Sequence, residues 1–212
     1  MVEILVFIIF FFVIGALCVG GTVLPIALLV HQRSRTANLW EQDAQTLGLE
    51  VAHRRGKGLE GHYGGCHLYV RNISRTDYSP LSRNNARISF TVVELKLEHP
   101  ATRQIVVETK GLADKVSTLF GGPDIETGQR HFDRALRVQA ADADAARAFL
   151  GREGVVDAFN HLHVLSHKLV LRGGTIKVEV KEVHHGEDLR ALLDRITHAV
   201  SIIDGSASSA KW

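Results

Sequence analysis

Apolar and polar positions are unevenly spread along this chain. From residue 4 to residue 30 it reads ILVFIIFFFVIGALCVGGTVLPIALLV, with no charge and Thr22 as its one hydroxyl. As a helix that run would be about 40 Å long against a bilayer core of about 30 Å, so it is predicted to cross a membrane once, with tilt absorbing the surplus. Met1-Val2-Glu3 lacks the basic start of a signal peptide, and the apolar run is about twice the usual signal-peptide core, which points to a retained anchor. Ala16 and Gly20 form a small-x-x-x-small pair that would suit helix pairing. Glu3 precedes the run and Arg33 and Arg35 follow it. Basic flanks stay on the cytoplasmic side, so the expectation is an inner (plasma) membrane protein with its soluble part in the cytoplasm.

The pattern after the anchor is mixed. Residues 31–48 read as a juxtamembrane linker ending in a short helix, with Trp40, Ala44 and Leu47 on one face and Gly48 as its stop. From 49 the period shortens to two. Strands are predicted over 49–53, 59–63 and 66–72, the last two as a hairpin about Gly64-Gly65, with a glycine turn at 54–58 before them. A polar loop at 75–85 leads to a long strand at 87–98, in which Ile88, Phe90 and Val92 share one parity and Val93, Leu95 and Leu97 the other. Such a switch implies a bulge or a strand covered on both faces. His99 to Thr102 turns the chain and 104–109 returns it, so this half is expected to be an antiparallel meander.

Beyond it, Leu112, Val116 and Leu119 would share a helix face, 124–128 is a compact turn, and 132–138 leads into a strand. Asp142 or Asp144 can cap a helix reaching Leu150, and 155–162 is a second short helix. A hairpin is predicted about Arg172-Gly173-Gly174, with Ile176, Val178 and Val180 facing a core and Lys177, Glu179 and Lys181 facing water. Residues 187–203 carry the clearest amphipathic stripe: Leu189, Leu192, Leu193, Ile196, Val200 and Ile203. The tail, 204–212, is Gly, Ser and Ala-rich. Strands, helices, a hairpin and a final helix together predict one α+β domain over 49–203: a mainly antiparallel sheet with helices packed on one face.

Composition narrows the function classes. About 180 residues follow the anchor, enough for one domain with a real core. The net charge of +2 gives no general argument for a polyanionic partner. Of two cysteines, Cys18 lies in the apolar run and Cys66 is alone in the domain. That suits a reducing compartment and excludes a multi-thiolate zinc site.

Histidine is the compositional oddity, with 12 in the chain. His161, His163 and His167 fall close together, and neutral imidazole is a common metal ligand. As a strand the segment would put all three on one face; as a helix it would pair only His163 with His167. Glu182, His184 and His185 could complete such a site. No H-E-x-x-H or similar motif accompanies them, so a metal remains an alternative to plain solvent-facing histidines. Arg71, Arg75, Arg83 and Arg87 surround the polar loop and form a candidate patch for anionic lipid headgroups. No aromatic platform or recognition helix goes with them, so nucleic acid is not expected. Asp124, Glu126 and Asp133 lie among Gly121, Gly122 and Gly128 without the spacing of a calcium loop. Gly128 is read there as a turn position and Phe132 as a core anchor. No phosphate loop or nucleophile elbow is present.

The run Gly122-Pro123-Asp124-Ile125-Glu126-Thr127-Gly128, continued by Phe132-Asp133 and Arg137-Val138, resembles a G-x-D-I-x-T-G…F-D pattern of uncharacterised bacterial membrane-anchored proteins. Trp40 and Leu47-Gly48-Leu49 fit the short segment that follows their anchor. The resemblance implies an N-terminal helix and an α+β domain and no catalytic residue. The expectation is therefore a single-pass membrane protein whose domain is a non-catalytic binding module for a protein or an anionic lipid. The alternative is a metal-binding protein or metal-dependent enzyme built on the three histidines.

Overall fold

The computed structural model describes residues 38–52, 58–76, 87–111 and 124–205. The predicted anchor at 4–30, the linker to 37, the turn at 54–57, most of the polar loop with Arg83, the helix proposed near 112–119 and the tail from 206 all lie outside these residues. Among those described, no helix is long and apolar enough to cross a membrane. The chain divides into two compact units, Met1–Glu41 and Gln42–Trp212. The first contributes only the start of helix α1 (38–47) to the described residues, where Trp40 is buried.

The second unit is mixed α/β: one antiparallel sheet with helices. Its strands are β1 (Glu50–Ala52), β2 (Gly58–Tyr63), β3 (Cys66–Thr76), β4 (Arg87–Lys96), β5 (Ile105–Thr109), β6 (Leu136–Ala140), β7 (Lys168–Arg172) and β8 (Thr175–Lys181). The helices are α2 (Arg130–Ala135), α3 (Ala143–Leu150), α4 (Val155–Leu165) and α5 (Gly186–Asp204), with a 3-10 turn at Pro100–Arg103. The sheet order is β1-β2-β3-β4-β8-β7-β5-β6.

That order corrects the expected meander. β1 to β4 are consecutive antiparallel neighbours, but β5 does not lie beside β4. The β7–β8 hairpin stands between them, with Val93 opposite Val178 and Leu95 opposite Ile176, and Val107 of β5 opposite Leu171 of β7. The segment leaving β4 passes the tip of that hairpin and bonds to it: Leu97 N–H donates to Gly174 O at 2.8 Å, and Gly174 N–H donates to Thr102 O at 3.1 Å. Gly174 has φ +73°, and a Cβ there would meet Arg103 Cγ at 3.1 Å, so this crossing needs glycine. A local reading of turns cannot reveal that a hairpin formed much later in the chain will enter the gap.

Residues alternate across the sheet as strand geometry requires. On one face Leu59, Leu68, Val70, Val93, Leu95, Ile176, Val178, Leu169, Leu171 and Val107 are fully buried. Helices and sheet share this core. α4 packs on α5 and β7, and every residue of the predicted α5 stripe is buried. Burying each such Leu or Ile contributes about 1.5–3 kcal/mol. At the hairpin tip the Tyr63 hydroxyl donates to Asp194 of α5 at 2.7 Å. Burial, reinforced by that carboxylate, pushes the Tyr63 hydroxyl up to about 12.

β4 has no bulge. Its pairing with β3 runs without a break from Arg87 opposite Thr76 to Leu95 opposite Leu68. The parity switch marks the other expected case, a strand covered on both faces: Val93 and Leu95 belong to the main core, while Phe90 and Val92 are buried on the opposite face.

Caps follow local chemistry. Asp142 accepts from the N–H groups of Asp144 (2.9 Å) and Ala145 (3.0 Å) and opens α3. Asp43 of α1, itself buried, accepts from Gly186 N–H at 2.8 Å and lies 2.5 Å from His185 Nδ1, so α1 caps the start of α5. The segment 124–128, expected to be a compact turn, is irregular: Ile125 N–H donates to Val138 O at 2.9 Å, and the chain bends at Gly128, where φ is +82°. Phe132 is fully buried in α2, and the chain leads from that helix directly into β6 at Leu136.

Candidate functional site

The second face of the sheet is polar and half-exposed, and its side chains fall into rows set by the strand register. One row runs Glu60, Tyr69, Glu94, Lys177, each opposite the next. The next row toward the hairpin tip runs His62, His67, then Lys96 and Thr175. A third row holds Ala52, Gly58, Arg71, Val92 and Glu179.

Where small residues meet large ones in these rows, the face is indented. Ala52 stands opposite Gly58. A Cβ on Gly58 would meet the Tyr69 ring at 3.2 Å and Val70 O at 2.2 Å. Glycine therefore lets the tyrosine lie against the sheet. The result is a cleft of about 350 Å³ whose walls include Glu60, His67, Tyr69, Glu94, Lys96 and Thr175. Glu60 lies 3.8 Å from His67 Nε2. Glu94 accepts from Arg71 at 3.3 Å. Lys96 is exposed at the rim.

Below the cleft lies a second polar cluster. Glu179 is 1 % exposed although its parity places it on the face expected to meet water. Arg75 grips it with two hydrogen bonds, 2.9 and 3.1 Å, and Lys177 Nζ lies 3.1 Å away. The Arg75 guanidinium also sits over the Phe90 ring, 5.7 Å from its centre. Burial alone would raise the Glu179 carboxyl, but the hydrogen bonds and charges of Arg75 and Lys177 outweigh it and hold the group below the ordinary carboxylate range. This is an ionised acceptor with its donors in place, not a group poised to exchange protons.

The proposed arginine patch is therefore divided. Arg71 and Arg75 are engaged with Glu94 and Glu179, Arg87 is exposed at the start of β4, and Arg83 lies outside the described residues. The three candidate metal histidines are not brought together. His161 and His163 lie two apart on α4 and so point to different sides. Burial, with Arg195 and His198 of α5 nearby, pushes the His161 imidazole below its usual value. His167 follows the helix and packs its ring 5.2 Å from Phe90. His185 stands at the start of α5 against Asp43, and His184 bonds to Thr91 and to Lys181 O. No group of three or more His, Cys, Asp or Glu among the described residues is placed to hold a metal ion.

The acid–glycine stretch resolves into structural roles. Asp133 accepts from Thr127 N–H (3.0 Å), Thr127 hydroxyl (2.8 Å) and Gly128 N–H (3.0 Å), fixing the turn. Asp124 lies 3.3 Å from Arg137 Nε. Cys66 is buried, and burial, with Asp204 adding to it, pushes its thiol up.

No family model matches the chain, and no curated protein matches it. Among solved structures, the crystal structure of the mycobacterial trehalose monomycolate transport factor A, TtfA, is similar at 15 % identity and a TM-score of 0.48, over 79 % of this chain and 92 % of that one. A likeness of that degree establishes neither a shared fold nor a shared role.

Proposed function

We propose that this chain is a single-pass protein of the inner membrane, anchored by residues 4–30, whose domain is a non-catalytic binding module held in the cytoplasm. The indented, half-exposed second face of the sheet is its binding surface. The observation that carries this reading is the cleft between Glu60, Tyr69, Glu94 and Lys96, on a face whose buried carboxylate, Glu179, is already saturated by cations. Two features support it. The apolar run is long enough to span a bilayer. Arg33 and Arg35 next to the apolar run favour the cytoplasmic side.

Two measurements in intact cells test this. C-terminal fusions should be fluorescent with a fluorescent protein and inactive with a periplasm-active phosphatase. A photo-crosslinking residue at His62, exposed beside the cleft, should form adducts that the same probe at the exposed Arg134 of α2 does not. Phosphatase activity overturns the placement. Equal labelling at His62 and Arg134 overturns the binding face.

A further inference from the structure

The polar groups of the cleft fall in two adjoining rows, joined where Glu60 lies 3.8 Å from His67 Nε2. Glu60 and Glu94 flank Tyr69 in one row, and His67, Lys96 and Thr175 occupy the next. Residues two apart on a strand share a face and lie about 7 Å apart, so an acid–aromatic–acid row adjoins a row of donors at roughly that distance. Glu60, and Glu94 which also accepts from Arg71 at 3.3 Å, give the first row two carboxylates that can accept from an ammonium while the ring offers its face. The second offers an ammonium, an imidazole and a hydroxyl, which match the several acceptor oxygens of a phosphate better than the pair on a carboxylate.

We propose that this cleft binds a small zwitterion of the phosphoethanolamine type, its ammonium between Glu60 and Glu94 over Tyr69 and its phosphate toward Lys96, His67 and Thr175. The proposal rests on the reading of this face as a binding surface and adds the ligand class. The same chemistry is available as a soluble phosphomonoester and as a membrane headgroup.

The test is calorimetric titration of the purified full chain in dodecyl maltoside with O-phosphoethanolamine, ethanolamine, phosphocholine and inorganic phosphate. Phosphoethanolamine is expected to bind at least tenfold more tightly than either half of it. It should also bind at least tenfold more tightly than phosphocholine, whose ammonium has no N–H to donate. Glu60→Gln and Lys96→Met should each weaken it at least fivefold, while Lys181→Met, exposed at the end of β8, should not. Glu60 is about half exposed and Lys96 lies at the surface, so both variants should keep the wild-type melting temperature. Repeating the titration in nanodiscs with and without phosphatidylethanolamine assigns the source. Competition by the lipid makes the headgroup the ligand, and its absence makes the soluble ester the ligand. No binding, equal affinity for phosphate alone, or indifference to both cleft variants overturns the proposal. Should His62 adducts still form in cells, the binding face stands and only this ligand class is lost.

Discussion

Arg75, near the end of β3, reaches past β4 to grip Glu179 on β8, joining two strands that are not neighbours in the sheet. Glu179 is buried, and Lys177 alone would remain to balance it without Arg75. Arg75→Ala is therefore expected to cost about 2 kcal/mol, below the full cost of breaking a buried pair because the arginine is half exposed. Replacing the pair by Arg75→Met with Glu179→Met should recover part of that loss. Thermal unfolding of the two variants checks both statements.

The same pair sets an acid limit. Because the folded state holds Glu179 below its ordinary value, its contribution is complete above the unfolded carboxylate pKa of about 4.3 and is lost as pH falls through the lower folded one. Glu179→Gln should lower stability at pH 7 and flatten the decline below pH ~4.5. An unchanged acid limb in this variant would assign the decline to other groups.

His161 acts in a different window. Its folded pKa is depressed, so the unfolded chain binds the proton more readily. Stability from this group is intact above about 6.5 and falls as pH drops below it. His161→Asn should flatten the melting-temperature profile between pH ~7.5 and ~5.5 without altering the limb governed by Glu179.

The two glycines of the β2–β3 turn separate a steric effect from a backbone one. Both have positive φ, +56° at Gly64 and +80° at Gly65, but a Cβ on Gly64 would meet Thr197 Oγ1 at 2.7 Å and a Cβ on Gly65 nothing. Each Ala substitution should cost about 1 kcal/mol for the backbone. Gly64→Ala should cost more, and combining it with Thr197→Ala should return most of the excess. Equal melting temperatures for Gly64→Ala and Gly65→Ala would show that the turn does not press on α5.

Asp133→Ala removes the acceptor for three donors in the 127–128 turn and is expected to cost about 1–3 kcal/mol. Asp124→Ala, at a half-exposed carboxylate paired with the Arg137 side chain, should cost less, about 1 kcal/mol. Denaturation midpoints that reverse this order would remove the structural reading of the motif.

Local chemistry is legible where it acts over a few residues. The α5 stripe, the Asp142 cap, the left-handed Gly128 and the hairpins about Gly64-Gly65 and Gly173-Gly174 can all be read from spacing and residue type, and the structure has each of them. Pairing at long range is not legible. Nothing near Val93 announces Val178 as its partner, and nothing near Ala52 announces that it will face Gly58 and help indent the sheet. Glu179 illustrates the same limit. Its alternation marks it for solvent, and only the fold brings Arg75 across to bury it. The histidines mislead for a related reason. Nearness in sequence invites a shared ligand, but α4 ends between His163 and His167 and sends their rings to different neighbours.

The late entry of the β7–β8 hairpin has a consequence for how the chain leaves the ribosome. β1 to β4 can zip together as they emerge, but β4 then shows a bare edge until β8 has been made, and β5 with β6 shows another. The middle of the sheet closes last. A nascent chain stalled before Lys168 would carry two half-sheets with open, apolar edges, ready to pair with each other's copies. The interval between synthesis of β4 and β8 is thus when this protein most needs a chaperone, and the Leu97–Gly174 bond marks its end.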